Sequence, residues 1–378
     1  MGYYIDIGNA GFQSSRNDEY VDKSGLIAII NKTLFTKHCF NCVTRCRRFG
    51  KSMAAQMLCA YYDRSCDSLK LFEDLDITND PSFEKHLNKY PVIYLDMTRF
   101  VTRYKNKTVD ITQKIDAELR ADIGRSFPDV HHEEGDDLMA LLIRITIQYS
   151  RQFIFIIDDW DAISRAFPAD TQALDHYISW LRRMFKSSDA MRVFAGVYIT
   201  GILPVKKYKT ESGLNNFQEY SMLDPIDTGS YFGFTKNEVK MLADRHNTEY
   251  NELEQWYDGY QICDGSSVFN PNSVMSALRS QRCRNFWAAT GAYEELSDYI
   301  NMNYSGLKED IVQMLSGVRC FVDPTGFHND ISHIKSKDDV LTLLIHLGYL
   351  SYDWRHSECY IPNREAADEI LKAVNACN

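Results

Sequence analysis

The chain has 378 residues, enough at roughly 150 residues per domain for two domains and a small third, which excludes a peptide hormone or a mini-scaffold. Hydrophobic residues make up 44% and charged residues 25%, a balance that supplies an ample core and excludes a disordered chain. With 42 Lys and Arg against 52 Asp and Glu, the net charge of −10 repels polyanions as a whole, so any nucleic-acid contact needs a local basic patch.

Met1 to Asp6 lacks the basic and apolar regions of a signal peptide, and Asp6 stands where a myristoylation signal needs Ser or Thr. No run approaches the roughly 20 apolar residues of a membrane span. A cytoplasmic protein without membrane association is expected, its ten cysteines reduced. Cys39, Cys42 and Cys46 have a C-x2-C-x3-C spacing. The segment between them reads as a strand, in which residues three apart face opposite ways, so buried thiols rather than a metal site are expected.

Four apolar runs of strand length come in order: Phe40 to Thr44, Val92 to Met97, Phe153 to Asp158 and Val193 to Thr200. Helical patterns separate them at Lys51 to Tyr62, Thr108 to Gly124, Asp137 to Ser150 and Asp170 to Lys186. Strands apolar on both faces and alternating with helices predict a parallel sheet covered on both sides, with Tyr220 to Leu223 as a fifth, edge strand. After Pro225 helical patterns dominate. Thr235 and Glu238 form a capping-box pair at a helix start. An apolar helix, Asp338 to Leu347, followed by two short strand-like segments around a polar turn, resembles a small winged-helix unit.

The first strand runs into Arg45-Cys46-Arg47-Arg48-Phe49-Gly50-Lys51-Ser52 and then a helix. In this order, backbone amides at a helix N-terminus hold anionic oxygens, Lys51 reaches terminal phosphates and the Ser52 hydroxyl can ligate magnesium. The common glycine-rich pattern has Gly at position 45, where this chain has Arg, and a Gly-Lys-Ser triplet alone is weak. The third strand delivers Asp158 and Asp159 at its C-terminal edge, where α/β sheets bind ligands. In a magnesium-nucleotide site the first acid holds the metal and the second orients and deprotonates water. Thr200 ends the fourth strand and reads equally as a γ-phosphate sensor or as a strand residue capping its own turn. Arg47 and Arg48 read equally as phosphate contacts or solvated cations.

These residues resemble the AAA-ATPase-like family of bacterial and archaeal proteins, commonly fused to a C-terminal PD-(D/E)XK nuclease-like domain. The resemblance runs from Glu19-Tyr20-Val21-Asp22-Lys23-Ser24 through Arg45 to Ser52, Ile157 to Asp161, Thr200 to Pro204, Gly233 to Thr235, Trp256-Tyr257-Asp258-Gly259-Tyr260 and Ile361-Pro362-Asn363. The family also lacks the first loop glycine. It implies an α/β P-loop NTPase sheet covered by helices, then a helical lid and the winged-helix-like unit, divided at 1–228, 229–320 and 321–378. It implies ATP and Mg2+ as ligands, with Arg47, Arg48, Phe49, Gly50, Lys51 and Ser52 on the nucleotide, Ser52 and Asp158 on the metal, Asp159 as base and Thr200 as sensor. Asp22 and Lys23 would lie near the base. The nucleotide would sit between the α/β domain and the lid.

Two departures stand out. Cys46 replaces a usual Pro, and Asp159 replaces a usual Glu, shortening the catalytic acid by one methylene, so slow ATP hydrolysis is expected, with a nucleotide-gated switch of little turnover as the alternative. Only 15 residues follow Asn363, and the nuclease-like domain is expected to be absent. Asp227 with Glu238-Val239-Lys240 mimics a nuclease motif, but Glu238 and Lys240 belong to the capped helix, where residues two apart do not share a face. A protein partner or nucleic acid would engage the C-terminal unit, with net charge arguing against DNA.

Overall fold

A computed structural model describes residues 2–104, 110–131, 135–167, 170–205, 213–287, 292–302, 304–328 and 334–376. The chain divides into two units, one formed by Met1–Val43 with Lys51–Glu219 and the other by Thr44–Gly50 with Tyr220–Asn378.

The first unit is built on a five-stranded sheet in the order β2-β3-β4-β1-β5, with β1 at Phe40–Thr44, β2 at Val92–Asp96, β3 at Phe153–Asp158, β4 at Phe194–Gly201 and β5 at Gln218–Tyr220. Strands β2 and β3 run parallel, with Asp96 opposite Asp158, and β3 and β4 run parallel with Ile157 opposite Ile199. The edge strand starts and ends earlier than the sequence pattern suggests, because Ser221 opens a turn whose hydroxyl accepts the amides of Leu223 and Asp224 at 3.2 Å each.

The predicted helix starts are set by side-chain caps. Asp137 accepts the Ala140 amide at 2.8 Å and opens Leu138–Tyr149, and Asp170 accepts the Ala173 amide at 3.0 Å and opens Thr171–Phe185. Asp110 caps Ile111–Ser126 in the same way; Thr108, where the pattern started, lies outside the described residues.

Strand β3 is buried along its whole length, and the period of two sorts its side chains between two helical layers. Phe153, Phe155 and Ile157 join a core with Leu119, Leu142, Trp180 and Leu181 from three helices. Ile154 and Ile156 face the other way and line a small cavity with Leu58 and Tyr62 of the helix Lys51–Tyr62. Each such buried side chain contributes about 1.5–3 kcal/mol. The alternation assigns Asp158 to the face of that helix. Cys39 and Cys42 pack in the first of these cores.

The second unit carries two small antiparallel sheets, β6-β8-β7 and β10-β11-β9. The first joins Phe234–Thr235 (β6), Tyr260–Gln261 (β7) and Ser267–Phe269 (β8). Strands of two or three residues leave no readable alternation, which is why the sequence pattern in this region looks helical. The second joins Cys320–Phe321 (β9), Ser351–Asp353 (β10) and Glu358–Tyr360 (β11), with β10 and β11 a hairpin following the helix Lys337–Leu347. The Thr235 and Glu238 capping box forms as the sequence indicates.

Two segments far apart in sequence interlock here. Asn363 donates from Nδ2 to the Asp258 carbonyl at 2.8 Å and caps the next helix by accepting the Ala366 amide at 3.0 Å. The Tyr360 hydroxyl donates to the Gly259 carbonyl at 3.1 Å, and that of Tyr260 to the Gly348 carbonyl at 3.0 Å. Gly259 adopts φ +102°, and a Cβ there would overlap the Pro362 carbonyl. Gly259→Ala is therefore expected to cost about 2–4 kcal/mol in thermal or urea unfolding. Gly326→Ala, where a Cβ meets nothing within 4 Å, should stay within about 0.5 kcal/mol of the parent.

Candidate functional site

Asp158 is only 5% exposed, at the C-terminal end of β3. Its Oδ2 accepts a hydrogen bond from the Tyr94 hydroxyl at 3.3 Å, and the Ser52 hydroxyl bonds the same carboxylate. Oδ1 is buried and has no hydrogen-bond partner among the described residues. Burial raises the Asp158 carboxyl to about 6, with the Ser52 hydrogen bond opposing, Asp159 and Asp96 adding repulsion, and the Lys51 charge opposing. Lys51 is itself 7% exposed at the first turn of its helix. A lysine, a hydroxyl and a half-satisfied carboxylate thus share one sheet edge.

Asp159 follows with left-handed backbone, φ +54°, which turns its side chain away from the strand alternation. Its Oδ2 accepts from the Thr98 hydroxyl at 3.1 Å and lies 3.3 Å from Nη2 of Arg165. Asp161 is fully buried; its Oδ2 accepts the amides of Ile202 and Leu203 at 2.9 and 3.0 Å. The Trp160 amide donates to the Thr200 carbonyl at 2.8 Å, and its indole to the Leu203 carbonyl at 2.8 Å. Thr200 follows Ile199, the residue paired with Ile157, so it stands beside Asp158. Its Oγ1 is buried without a partner among the described residues.

The loop before Lys51 has two left-handed residues, Arg48 at φ +70° and Gly50 at φ +84°. A side chain at Gly50 would meet nothing within 4 Å, so glycine serves backbone conformation there, not packing. The other loop side chains are engaged within the second unit. Arg45 is 3% exposed and donates to the Tyr220 carbonyl at 2.7 Å and the Thr228 hydroxyl at 2.9 Å, with its guanidinium 5.1 Å from the Phe232 ring centre. Phe49 and Cys46 pack with Tyr260 and Val268. Arg48 donates to the Phe286 carbonyl at 3.2 Å, and Arg47 is exposed. The arginine at the first loop position is thus a buried tether.

Of the expected site residues, Lys51, Ser52, Asp158 and Thr200 meet at the ends of β3 and β4. Phe49 turns its ring into a core, leaving only its backbone for a ligand. Tyr94, Asp96, Thr98 and Arg165 also reach this edge and carry no motif; the parallel register of β2 against β3 places the first two, and only the alternation of β2 pointed that way. Asp22 spends its carboxylate on the amides of Ser24 and Asp76, both at 2.7 Å, a turn-fixing role.

The donor set suits a hard divalent cation on phosphate oxygens. A hydroxyl and a carboxylate whose buried Oδ1 has no partner among the described residues stand next to a lysine, and hard cations take oxygen ligands of this kind. An α/β sheet with a Gly-Lys-Ser helix start and a carboxylate at the neighbouring strand end defines a P-loop type of nucleotide-binding domain. A family model described as "Predicted AAA-ATPase" matches residues 6–210. The chain belongs to this AAA-ATPase-like family, and membership supports nucleotide binding as its general activity.

A protein of Azotobacter chroococcum mcd 1, described as "Uncharacterized protein in vnfD 5'region", is 25% identical over 305 residues, which cover 74% of this chain and 52% of its own length. The chain spans about half the length of that relative. The solved structure of the Aeropyrum pernix ORC2 protein in ADPNP-ADP complexes aligns with a TM-score of 0.41 and 12% identity over 97% of each chain. Among the described residues no helix is long and apolar enough to cross a membrane.

The raised Asp158 carboxyl has a consequence for stability. Its folded value of about 6 lies above the ordinary 3.8, so the folded chain holds the proton more tightly. The stabilising contribution is full below about pH 4 and lost as pH rises through 6. Without nucleotide or metal, Asp158→Asn should melt higher than the parent at pH 7.5, by up to ~3 kcal/mol, and the gap should close toward pH 4 in a thermal melt series.

Proposed function

We propose that the chain binds ATP with Mg2+ at this edge and hydrolyses it slowly. The observation that carries the reading is the buried Oδ1 of Asp158, without a partner among the described residues, on the carboxylate that Ser52 and Tyr94 already hold. Leaving a carboxylate oxygen buried without a donor costs about 1–3 kcal/mol or more, and such groups are rarely kept without a ligand to meet them.

In this reading the backbone amides from Arg47 to Gly50 and the first turn of the helix Lys51–Tyr62 receive the phosphates, favoured by the helix dipole. Lys51 sets its ammonium against the terminal phosphate oxygens. Ser52 and Asp158 would hold the cation, which when bound supplies charge neutralisation on the phosphates. Tyr94 fixes the Asp158 carboxylate from the other side. Asp159 accepts the proton of the attacking water, and Thr200, whose hydroxyl is free among the described residues, hydrogen-bonds the water or the terminal phosphate. With aspartate as base the reach is one methylene shorter than with glutamate, which supports slow turnover.

The same reading divides the chain into an ATPase domain at 1–228, a lid at 229–320 and a winged-helix-like unit at 321–378. The helix Lys337–Leu347 with the β10–β11 hairpin supports the last, as a surface for a protein or nucleic-acid partner. The test is titration calorimetry with a non-hydrolysable ATP analogue and magnesium. Lys51→Ala should weaken binding by roughly a hundredfold, and equal affinity for parent and variant would remove the assignment.

A further inference from the structure

Arg165 stands on the short helix Ala162–Ala166, outside every motif in the sequence. Its Nη2 lies 3.3 Å from Asp159 Oδ2 and 3.3 Å from Asp161 Oδ1. Asp161 is in turn fixed by the amides of Ile202 and Leu203, the residues that follow the end of β4. The chain of contacts therefore runs from the backbone just past Thr200, through Asp161 and Arg165, to the carboxylate of Asp159. We propose that Arg165 is a positioning residue for the Asp159 base.

The geometry gives the reason. Asp159 Oδ2 accepts a hydrogen bond from Thr98 at 3.1 Å and stands in ion-pair contact, without a directed hydrogen bond, 3.3 Å from the buried Nη2 of Arg165, while Oδ1 takes no hydrogen bond from the described residues and the side chain is 27% exposed. One oxygen is held so that the other is presented. Arg165 is 22% exposed and Asp161 fully buried, so the cation is seated in protein. The left-handed backbone of Asp159, φ +54°, takes its side chain off the strand alternation, so its direction depends on the contacts it makes, and a misplacement of about an ångström costs rate. Asp161 supplies a second negative charge at the same distance, 3.3 Å, from Nη2 of Arg165.

The proposal rests on the hydrolytic reading above, and the experiment separates the two. Steady-state phosphate release and binding of a non-hydrolysable ATP analogue are measured for the parent, Arg165→Gln, Arg165→Lys, Asp159→Asn and the double variant Asp159→Asn with Arg165→Gln. The expected result is a kcat lowered about tenfold or more by Arg165→Gln, with KM and analogue affinity within about twofold of the parent. Arg165→Lys should recover part of the loss. In the Asp159→Asn background the Gln substitution should change kcat less than about twofold, since the residue it positions is already gone. A kcat unmoved by Arg165→Gln, or lowered by the same factor with and without Asp159, overturns the proposal while leaving the hydrolytic reading intact. Analogue binding lost in Arg165→Gln and unrecovered in Arg165→Lys assigns the residue to the scaffold, and overturns it too. Absence of phosphate release by the parent overturns both.

Discussion

The alternation of side chains along β3 is the constraint on which the site depends. Because Phe153, Phe155 and Ile157 must enter one hydrophobic layer and Ile154 and Ile156 the other, Asp158 has no choice of face. It emerges on the side of the helix that begins with Lys51 and Ser52. A slip of one residue would send the carboxylate into the opposite, mainly apolar layer with Leu119 and Trp180, away from Lys51 and Ser52. Core packing, worth several kcal/mol over the strand, thus fixes the position of a charge that is itself unfavourable to bury.

That charge is tolerated only in part. The Tyr94 hydroxyl donates to Oδ2 of Asp158 and the Ser52 hydroxyl bonds the same carboxylate, while Oδ1 has no partner among the described residues. Such incompleteness is typical of binding edges, where polar groups are held ready for a partner outside the chain. The neighbouring Asp159 is treated differently: it leaves the strand through a left-handed residue and is taken up by Thr98 and Arg165. Two consecutive aspartates therefore enter two environments, one buried against a helix start and one gripped at the surface, which is how adjacent acids come to have separate roles.

The family motifs divide by physical task. Lys51, Ser52 and Asp158 gather at the sheet edge. Asp22, by contrast, fixes a turn through two amides, Asp161 ties β3 to the end of β4, and the Trp256 to Tyr260 segment locks onto Ile361 to Asn363 through Gly259 and Asn363. Arg45, which takes the place of a loop glycine, is a tether with its guanidinium spent on a carbonyl and a hydroxyl. A strong motif in this chain marks a demanding local geometry, and only some of those geometries face a ligand.

Local pattern by itself determined the four main strands of the first sheet, the helix starts at Asp137 and Asp170 and the Thr235 capping box, because each follows from periodicity or from hydrogen bonds within a few residues; it also marked Lys51, Ser52 and Asp158 as candidates, while the packing of β3 brought them together. Tertiary structure alone decided the partners of Asp159, the inward turn of Phe49, the place of Tyr94 and Asp96 beside Asp158, and the small sheet of β6, β7 and β8. These depend on strand register and on contacts between residues tens to hundreds of positions apart. Strands of two residues, and an arginine four residues past the motif's last aspartate, leave no periodic trace for a sequence to display.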